Sequence, residues 1–412
     1  MFQRIGAQAY KPSLDNTIKL SEALGNPHTQ FKSIHIAGTN GKGSSSHYLA
    51  SICQSAGYKT GLYTSPHLVD FRERIRVDGS MIPEAYVCQF VESNMQIIQE
   101  IEPSFFELCV VMAFDYFAKE KVDVAVIEVG MGGRLDSTNI IHPMLSLITN
   151  ISYDHMQFLG DTLEKIAGEK AGIIKEHTAV IVSQHQQECA HVFEEIASIK
   201  NAELLFASEH YRATELPSTN KEFMRIQVQG PNGEYDLESP LQGKYQLKNI
   251  LGVIASTEKL NALGFELKYA DVLAGIKDVK QQTGLRGRWE VLSTAPQIIA
   301  DTGHNEDGIQ QIIDQINQLD FEKLHWVWGM VYDKQPDKVF KLLPQTAHYY
   351  FCKPNIPRGL DAQECKKLAA EYQLLGDSYP SVQAALEAAK AKASAQDLIL
   401  IGGSTFVVAE VL

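Results

Sequence analysis

An α/β protein of two domains is what this sequence predicts, and three features predict it. The chain has 412 residues, more than one ordinary domain holds. Apolar runs of strand length alternate with stretches of helical periodicity along nearly its whole length, the pattern of sheets covered by crossover helices. That alternation breaks at Thr283-Gly284-Leu285-Arg286-Gly287-Arg288, which has no core periodicity, and resumes at Trp289. The expected division is a larger N-terminal domain with a mainly parallel sheet over residues 1–284, a hinge over 285–289, and a smaller doubly wound α/β domain over 290–412.

Composition narrows the class. Hydrophobic residues at 44% and charged residues at 21% are the balance of a globular protein with ample core. A formal net charge of −13 opposes binding to nucleic acid or to an anionic membrane. The first residues carry no apolar core of signal-peptide kind, and no apolar run approaches the ~18 residues of a membrane span. The six cysteines (Cys53, Cys88, Cys109, Cys189, Cys352 and Cys365) are scattered without a CxxC pair. They read mostly as small buried hydrophobes, and a reducing cytoplasm is expected.

Lys32–Ala37 reads as the first strand. It runs into Gly38-Thr39-Asn40-Gly41-Lys42-Gly43-Ser44 and then a helix from about Ser44 to Ala56. A strand, a glycine-rich turn and a helix N-terminus together cradle phosphate, because backbone N–H groups converge on its oxygens and the helix end adds partial positive charge. This is the arrangement of a P-loop-type ATPase domain. Lys42 would reach the terminal phosphates, with Ser44 or Ser45 near a magnesium ion. Ile36 stands where the strict pattern has its first glycine, and Gly43 separates Lys42 from the serines, so an ordinary glycine turn is the competing reading.

Tyr58–Tyr63, the second strand, ends in Thr64-Ser65-Pro66-His67-Leu68, at the carboxyl end where open α/β sheets place ligands. Alone, the Ser-Pro pair reads as a turn. Phe71–Arg76 alternates apolar and charged residues and reads as a strand whose three arginines are solvated or form an anion-binding edge. Pro83–Ile101 and Phe105–Glu120 have helical spacing, and Val122–Val129 is the apolar run of a central parallel strand. It delivers Glu128 ahead of Gly130-Met131-Gly132-Gly133-Arg134-Leu135-Asp136. A carboxylate ending a buried strand is costly unless paired, which points either to a hard divalent cation or to an ion pair with Arg134.

Leu145–Ile151 is the next strand and closes at Asp154-His155. The helix Thr162–Lys175 carries Glu169 and Lys170, whose plain reading is a surface pair. A hairpin of Met224–Val228 and Glu234–Leu237 would turn at Asn232-Gly233 in type I′, and a helix opened by the stretch Leu241 to Asn249 runs to about Ala262. In the smaller domain, strands at Glu290–Leu292, Ile298–Asp301, Leu324–Gly329, His348–Cys352 and Leu398–Ile401 alternate with helices from Glu306, Pro336, Asp361 and Ser381, ahead of a terminal helix. Two strand ends there are polar, Asp301-Thr302-Gly303-His304-Asn305 and Gly402-Gly403-Ser404-Thr405.

GTNGKGS, YTSPHL, FFE, EVGMGGRLDSTN, the DH of ISYDH, EKAGI, LQGKYQLKN, GRWE, DTGHN and GGS stand in one order with consistent spacing. The series resembles the folylpolyglutamate synthase/dihydrofolate synthase family, within the Mur-type ATP-dependent amide ligases, from about Gly38 to Ser404. EVGMGGRLDSTN joined to ISYDH and EKAGI is its most specific part. The resemblance implies an enzyme that uses ATP to phosphorylate the carboxylate of dihydropteroate or of a reduced folate, after which the amine of L-glutamate displaces phosphate. Both activities in one chain are expected; a single-activity folylpolyglutamate synthase is the alternative. Another Mur-type amino-acid ligase fits less well, because the 37 residues before Gly38 are too few for a further nucleotide-binding domain. A module that has lost catalysis is opposed by the joint presence of Lys42, Ser65, Glu128, His155, Lys170 and Asp301.

The same resemblance implies the site. Thr39, Asn40, Gly41, Lys42, Gly43 and Ser44 would hold ATP, with Asn249, Arg288 and Asp301 contacting adenine, phosphate and ribose; since these come from both domains, ATP would be clamped between them. Ser65, Glu128 and His155 would bind Mg2+, with two ions expected and K+ as a further ion. Lys170 would be carbamylated and join them, unless it is only the salt-bridge partner of Glu169. Ser104, Phe105, Phe106, Glu107, Leu135, Asp136 and Ser137 would contact the pterin, Phe106 by stacking and Asp136 by hydrogen bonding. Lys42, Lys170, Asp301 and His304 form the expected catalytic set, and Ser404 with His304 the glutamate and phosphate side. Asp333-Lys334 matches a family motif only loosely. Ser104 replaces a usual Thr, Tyr245 a common His, Ser137 an Ala, and Thr302-Gly303 precedes His304-Asn305, departures that remove no group the chemistry needs. A cytoplasmic monomer acting on small molecules, without nucleic acid or membrane, is the resulting expectation.

Overall fold

The computed structural model describes residues 13–332 and 336–412; Asp333 and Lys334 therefore lie outside the described residues. The chain forms two compact units, one of Lys11–Pro240 with Tyr245–Leu285, the other containing Leu241–Lys244 and Arg286–Leu412. The α/β class, with a large mainly parallel sheet followed by a smaller α/β unit, is as expected.

The larger unit is built on eight strands: β1 (Lys32–Ala37), β2 (Thr60–Tyr63), β3 (Ile75–Val77), β4 (Ser80–Met81), β5 (Val124–Glu128), β6 (Leu145–Ile148), β7 (Ala179–Val182) and β8 (Leu204–Phe206). Their order is β4-β3-β2-β5-β1-β6-β7-β8. All neighbours from β2 to β8 run parallel, and β3 and β4 add an antiparallel edge. The central strands are mainly apolar and, apart from Lys32 at the start of β1, buried, as a sheet covered on both faces requires. Helices α1 (Lys42–Ser55), α2 (Phe105–Glu120), α3 (Leu163–Ala171) and α4 (Gln246–Ala262) pack around it. One core layer gathers Tyr63, Phe114, Phe117 and Ile127, and another Ile148, Ile166, Val180 and Phe193.

Three local expectations change. Phe71–Arg74 is a short 3-10 helix, and only Ile75–Val77 is strand. A capping box explains it: Asp70 accepts from the Arg72 amide at 2.8 Å and Glu73 accepts from the Asp70 amide at 2.7 Å, which rewards a helical turn over extension. The helix expected over Pro83–Ile101 breaks into Glu84–Ser93 and Met95–Ile101 at Asn94. The hairpin of β10 (Met224–Gly230) and β11 (Gly233–Ser239), which with β9 (Arg212–Leu216) makes a three-stranded sheet, turns one residue early. Gly230 pairs with Gly233, so Pro231 and Asn232 are the central residues. Proline cannot take the positive φ of a type I′ turn.

The second unit holds β12 (Glu290–Thr294), β13 (Gln297–Ala300), β14 (Leu324–Trp328), β15 (His348–Cys352), β16 (Gly376–Tyr379) and β17 (Leu398–Gly402), in the order β12-β13-β17-β14-β15-β16. Only β12 is antiparallel. Helices α5 (Glu306–Ile316), α6 (Ala362–Ala370) and α7 (Val382–Lys392) start where Asn305, Asp361 and Ser381 side chains accept backbone N–H groups. Trp326, Trp328, Tyr349 and Phe351 centre its core. The edge strand β16 was not expected, since Gly-Asp-Ser-Tyr carries no apolar run. Leu241–Lys244 belongs here by hydrogen bonds at 2.8 Å from the Lys244 amide to Gln315 and at 2.9 Å from Gln315 back to the Gln242 carbonyl. Among the described residues no helix is long and apolar enough to cross a membrane, and all six cysteines are free thiols.

Candidate active site

The turn between β1 and α1 is strapped to the loop after β6. The Asn40 amide donates to Asn150 Oδ1 at 2.8 Å, Thr39 Oγ1 accepts from the Ser152 amide at 3.0 Å, and Thr149 Oγ1 donates to the Asn40 carbonyl at 2.5 Å. Gly41 has φ 84°, and a Cβ there would lie 2.2 Å from Asn249 Oδ1, so glycine is required twice over. Asn249, on α4, thus stands against the loop. Its Nδ2 donates to Gln246 Oε1 at 2.9 Å, and Gln246 Nε2 donates to Ser44 Oγ at 3.1 Å.

Lys42 folds back over the loop, its Nζ donating to the Gly38 and Thr39 carbonyls at 3.0 Å each. Lys170 Nζ reaches the same Gly38 carbonyl at 2.9 Å. Two ammonium groups on one oxygen repel, and Lys170 is 3 % exposed. Burial first, and the Lys42 charge second, bring the Lys170 amine down to about 7. The surface pair with Glu169 is not formed by Lys170; Glu169 instead takes Arg134 at 2.8 Å. Arg134 is thereby committed to Glu169 and not to Glu128.

Glu128, 4 % exposed at the end of β5, accepts from the Ser65 amide at 3.1 Å, because β2 runs parallel beside β5 with Tyr63 opposite Ile127, and the chain leaving β2 passes Glu128. His155, at φ 50°, opens a short helix, and its amide donates to Asp154 Oδ1 at 2.8 Å. Among the described residues no three His, Cys, Asp or Glu side chains gather as a metal cluster. A cation at Glu128 and His155 would therefore draw the rest of its shell from Ser65, a modified Lys170, water or phosphate oxygens. That donor set suits Mg2+, which keeps waters and substrate phosphates as ligands.

Ser104 and Glu107 are the capping box of α2: the Glu107 amide donates to Ser104 Oγ at 3.3 Å, and the Ser104 amide donates to Glu107 Oε2 at 2.5 Å. This fixes Phe105 and Phe106 on the first turn. The Phe106 ring lies over Gly130, where a Cβ would come within 2.4 Å of it. Asp136 closes the other side. Its carboxylate accepts from the Met131 amide at 2.9 Å, the Thr138 amide at 3.0 Å and the Thr138 hydroxyl at 2.5 Å. Burial pushes this carboxyl up, against the opposing pull of those donors. Leu135 is half-buried beside it, and Ser137 opens the 3-10 helix Ser137–Ile140.

In the second unit, Asp301 accepts the Trp289 amide at 2.7 Å and the Gly303 amide at 2.8 Å, tying the residue after Arg288 to the loop that follows β13. Arg288 Nη1 donates to Thr302 Oγ1. His304 Nδ1 lies 3.0 Å from the Thr302 carbonyl, which fixes the proton on Nδ1. Ser404 caps the short helix Thr405–Ala409 through the Phe406 amide at 3.2 Å.

The chain matches the Mur ligase middle domain over residues 36–257 and the Mur ligase glutamate ligase domain over residues 287–405. A "Dihydrofolate synthase/folylpolyglutamate synthase" of Bacillus subtilis is 32% identical, covering 97% of this chain and 94% of its own. The chain belongs to the folylpolyglutamate synthase/dihydrofolate synthase family. A Haloferax volcanii protein named "Probable bifunctional folylpolyglutamate synthase/dihydropteroate synthase" is also 32% identical over 97% of the chain. The chain spans only 48% of that relative's length. The solved structure "E.coli FolC in complex with DHPP and ADP" superposes with a TM-score of 0.86 at 29% identity, covering 98% of this chain and 93% of that one.

Within this member of the family, three residues at the site were given no role by motif reading. Gln246 links Ser44 to Asn249, and His35 supports Thr138 behind Asp136 at 2.9 Å. Arg74 is the third. The run of arginines flagged an anion-binding edge, but only the structure separates Arg72, paired with Asp70, and Arg76, bonded to the Gly79 carbonyl, from the buried Arg74.

Proposed function

We propose that this chain is an ADP-forming ligase that joins L-glutamate to dihydropteroate and to the γ-carboxylate of reduced folates. The observation that carries the reading is the convergence of Lys42 and Lys170 on the Gly38 carbonyl of a strand–glycine–helix turn. Two cationic groups gathered at a phosphate-binding turn call for an anion between them. Family membership supplies the substrate class, and the relative from E. coli holds DHPP and ADP.

A carboxylate is a poor acyl electrophile. Transfer of the γ-phosphoryl group of ATP to it gives an acyl phosphate and ADP. The glutamate amine then forms a C–N bond, the C–O bond to phosphate breaks, and the amine loses a proton. Positioning and charge neutralisation are what a protein contributes to such steps. In this reading the amides of Thr39 to Ser44 bind phosphate oxygens, Lys42 neutralises them, and Asn249 contacts the adenine. Ser65, Glu128 and His155 would hold Mg2+ at two sites, with K+ as a further ion. Magnesium bound there supplies charge neutralisation for phosphoryl transfer. The lowered Lys170 amine is suited to add CO2 with release of a proton, forming a carbamate whose negative charge relieves the repulsion from Lys42. Phe105, Phe106, Asp136 and their neighbours take the pterin; Arg288 and Asp301 serve the nucleotide, and His304 and Ser404 the glutamate and phosphate. Residues 1–284 and 290–412 would divide these tasks in a cytoplasmic monomer.

Purified protein with ATP, magnesium and L-glutamate should release ADP with dihydropteroate and with tetrahydrofolate. Turnover on tetrahydrofolate alone would leave a single-activity synthase, and turnover on neither would end the proposal. Lys42→Ala or Glu128→Ala should lower kcat by roughly 10²-fold or more. Lys170→Ala should be inactive and regain activity with added short carboxylic acids; an undiminished kcat would refute the carbamate.

A further inference from the structure

Arg74 is 5 % exposed, yet no carboxylate pairs with it among the described residues. Its Nε donates to His67 Nδ1 at 2.8 Å. Its guanidinium faces the Phe105 ring, 5.7 Å from the centroid. The Nη donors are left without a counter-ion, a costly state for a charge taken out of water. A second polar group stands beside it. The Tyr63 hydroxyl is 0 % exposed, lies against the Arg74 guanidinium and finds no further partner among the described residues.

Backbone pairing fixes where these groups stand. The Thr64 amide donates to the Arg74 carbonyl at 3.0 Å, and Tyr63 pairs with Ile75. Arg74 is thereby held beside Ser65, whose amide binds Glu128. Aromatic rings wall the same place: Phe71 lies 5.6 Å from Phe105 and 6.3 Å from His67, and Tyr63 lies 6.3 Å from Phe106. A guanidinium fork matches a planar carboxylate, and the rings match an aryl group attached to it.

We infer that Arg74, assisted by the Tyr63 hydroxyl, is the binding residue for the acceptor carboxylate, in dihydropteroate the benzoate carboxylate. The inference rests on the proposed function. Arg74 receives the carboxylate before phosphorylation and orients it. Conversion to an amide removes the anion, so the product is held less tightly than the substrate at this point.

The test is calorimetric binding, without ATP, of dihydropteroate and of its neutral carboxamide analogue. Wild type should prefer the carboxylate. Arg74→Gln should weaken carboxylate binding roughly ten- to a hundredfold and leave carboxamide binding unchanged, so that the preference disappears. Arg74→Lys, which keeps the charge without the fork, should fall between, and Tyr63→Phe should show a smaller loss of the same sign. Arg74→Lys also reads the inference should Arg74→Gln fail to fold. Undiminished carboxylate binding in the Arg74 variants, or equal loss of both ligands, would overturn it. Wild type that binds neither ligand and releases no ADP with dihydropteroate would instead overturn the proposed function, and this inference with it.

Discussion

His35 shows how much a single side chain does at a distance. It is fully buried on β1, and its Nε2 lies 2.9 Å from Thr138 Oγ1. Thr138 has one hydroxyl proton, and Asp136 Oδ1 at 2.5 Å takes it. His35 must then donate from Nε2, which leaves its Nδ1 as the unpartnered lone pair. Burial chiefly, and Lys175 secondarily, lower this imidazole to about 3 from 6.5. Between those values the unfolded chain binds a proton that the folded chain refuses. Stability is therefore complete above pH 6.5 and declines as pH falls toward 3, by up to about 1.4 kcal/mol per pH unit from this group. His35→Gln keeps an Nε2 donor but cannot titrate. Its urea-unfolding free energy should fall less steeply than wild type between pH 6.5 and 4.5, and parallel slopes would sink the assignment. Thr138→Val removes the donor to a buried carboxyl and should cost about 1–3 kcal/mol, whereas Thr138→Ser should recover most of it.

At the scale of elements, the helix and loop that carry the proposed pterin contacts were legible and their packing was not. FFE and GMGGRLD place Phe106 and Asp136 on the first turn of α2 and in the loop after β5, as periodicity predicts. That both crowd Gly130 is visible only in space: a Cβ would sit 2.4 Å from Phe106 Cζ and 3.1 Å from Asp136 Oδ2. Gly130→Ala should push the ring aside, raise KM for dihydropteroate several-fold and cost roughly 1–3 kcal/mol, with KM for ATP unchanged; an unaltered dihydropteroate KM would show that the ring takes no part in binding. Where the expectation failed, a local reward outweighed the pattern. The Asp70–Glu73 capping box turned an alternating stretch into a 3-10 helix, and Pro231 moved the hairpin turn. His35 and Thr138 lie 103 positions apart, and Arg74 owes its interest to burial, which no spacing of RERIR reveals.

For the molecule as a whole, each unit carries its own sheet and core, and the glycine turn with both lysines lies entirely within the larger one. Alternating strands and helices made that division legible, whereas the grouping of Leu241–Lys244 with the later residues depends on contacts to Gln315 that no local pattern announces. A ligand that binds only the folded larger unit must stabilise it by mass action. At 100 times its Kd, ADP with magnesium should contribute about 2.7 kcal/mol, a rise of about 5–10 °C in the calorimetric midpoint for a unit of this size. Lys42→Ala removes the charge proposed to neutralise the phosphates, while the turn keeps its straps to Asn150 and Ser152. Without ligand its midpoint should stay close to wild type, and with ADP at the same concentration the rise should largely vanish. An equal rise in the variant would mean that the nucleotide is held elsewhere and that the turn is an ordinary one after all.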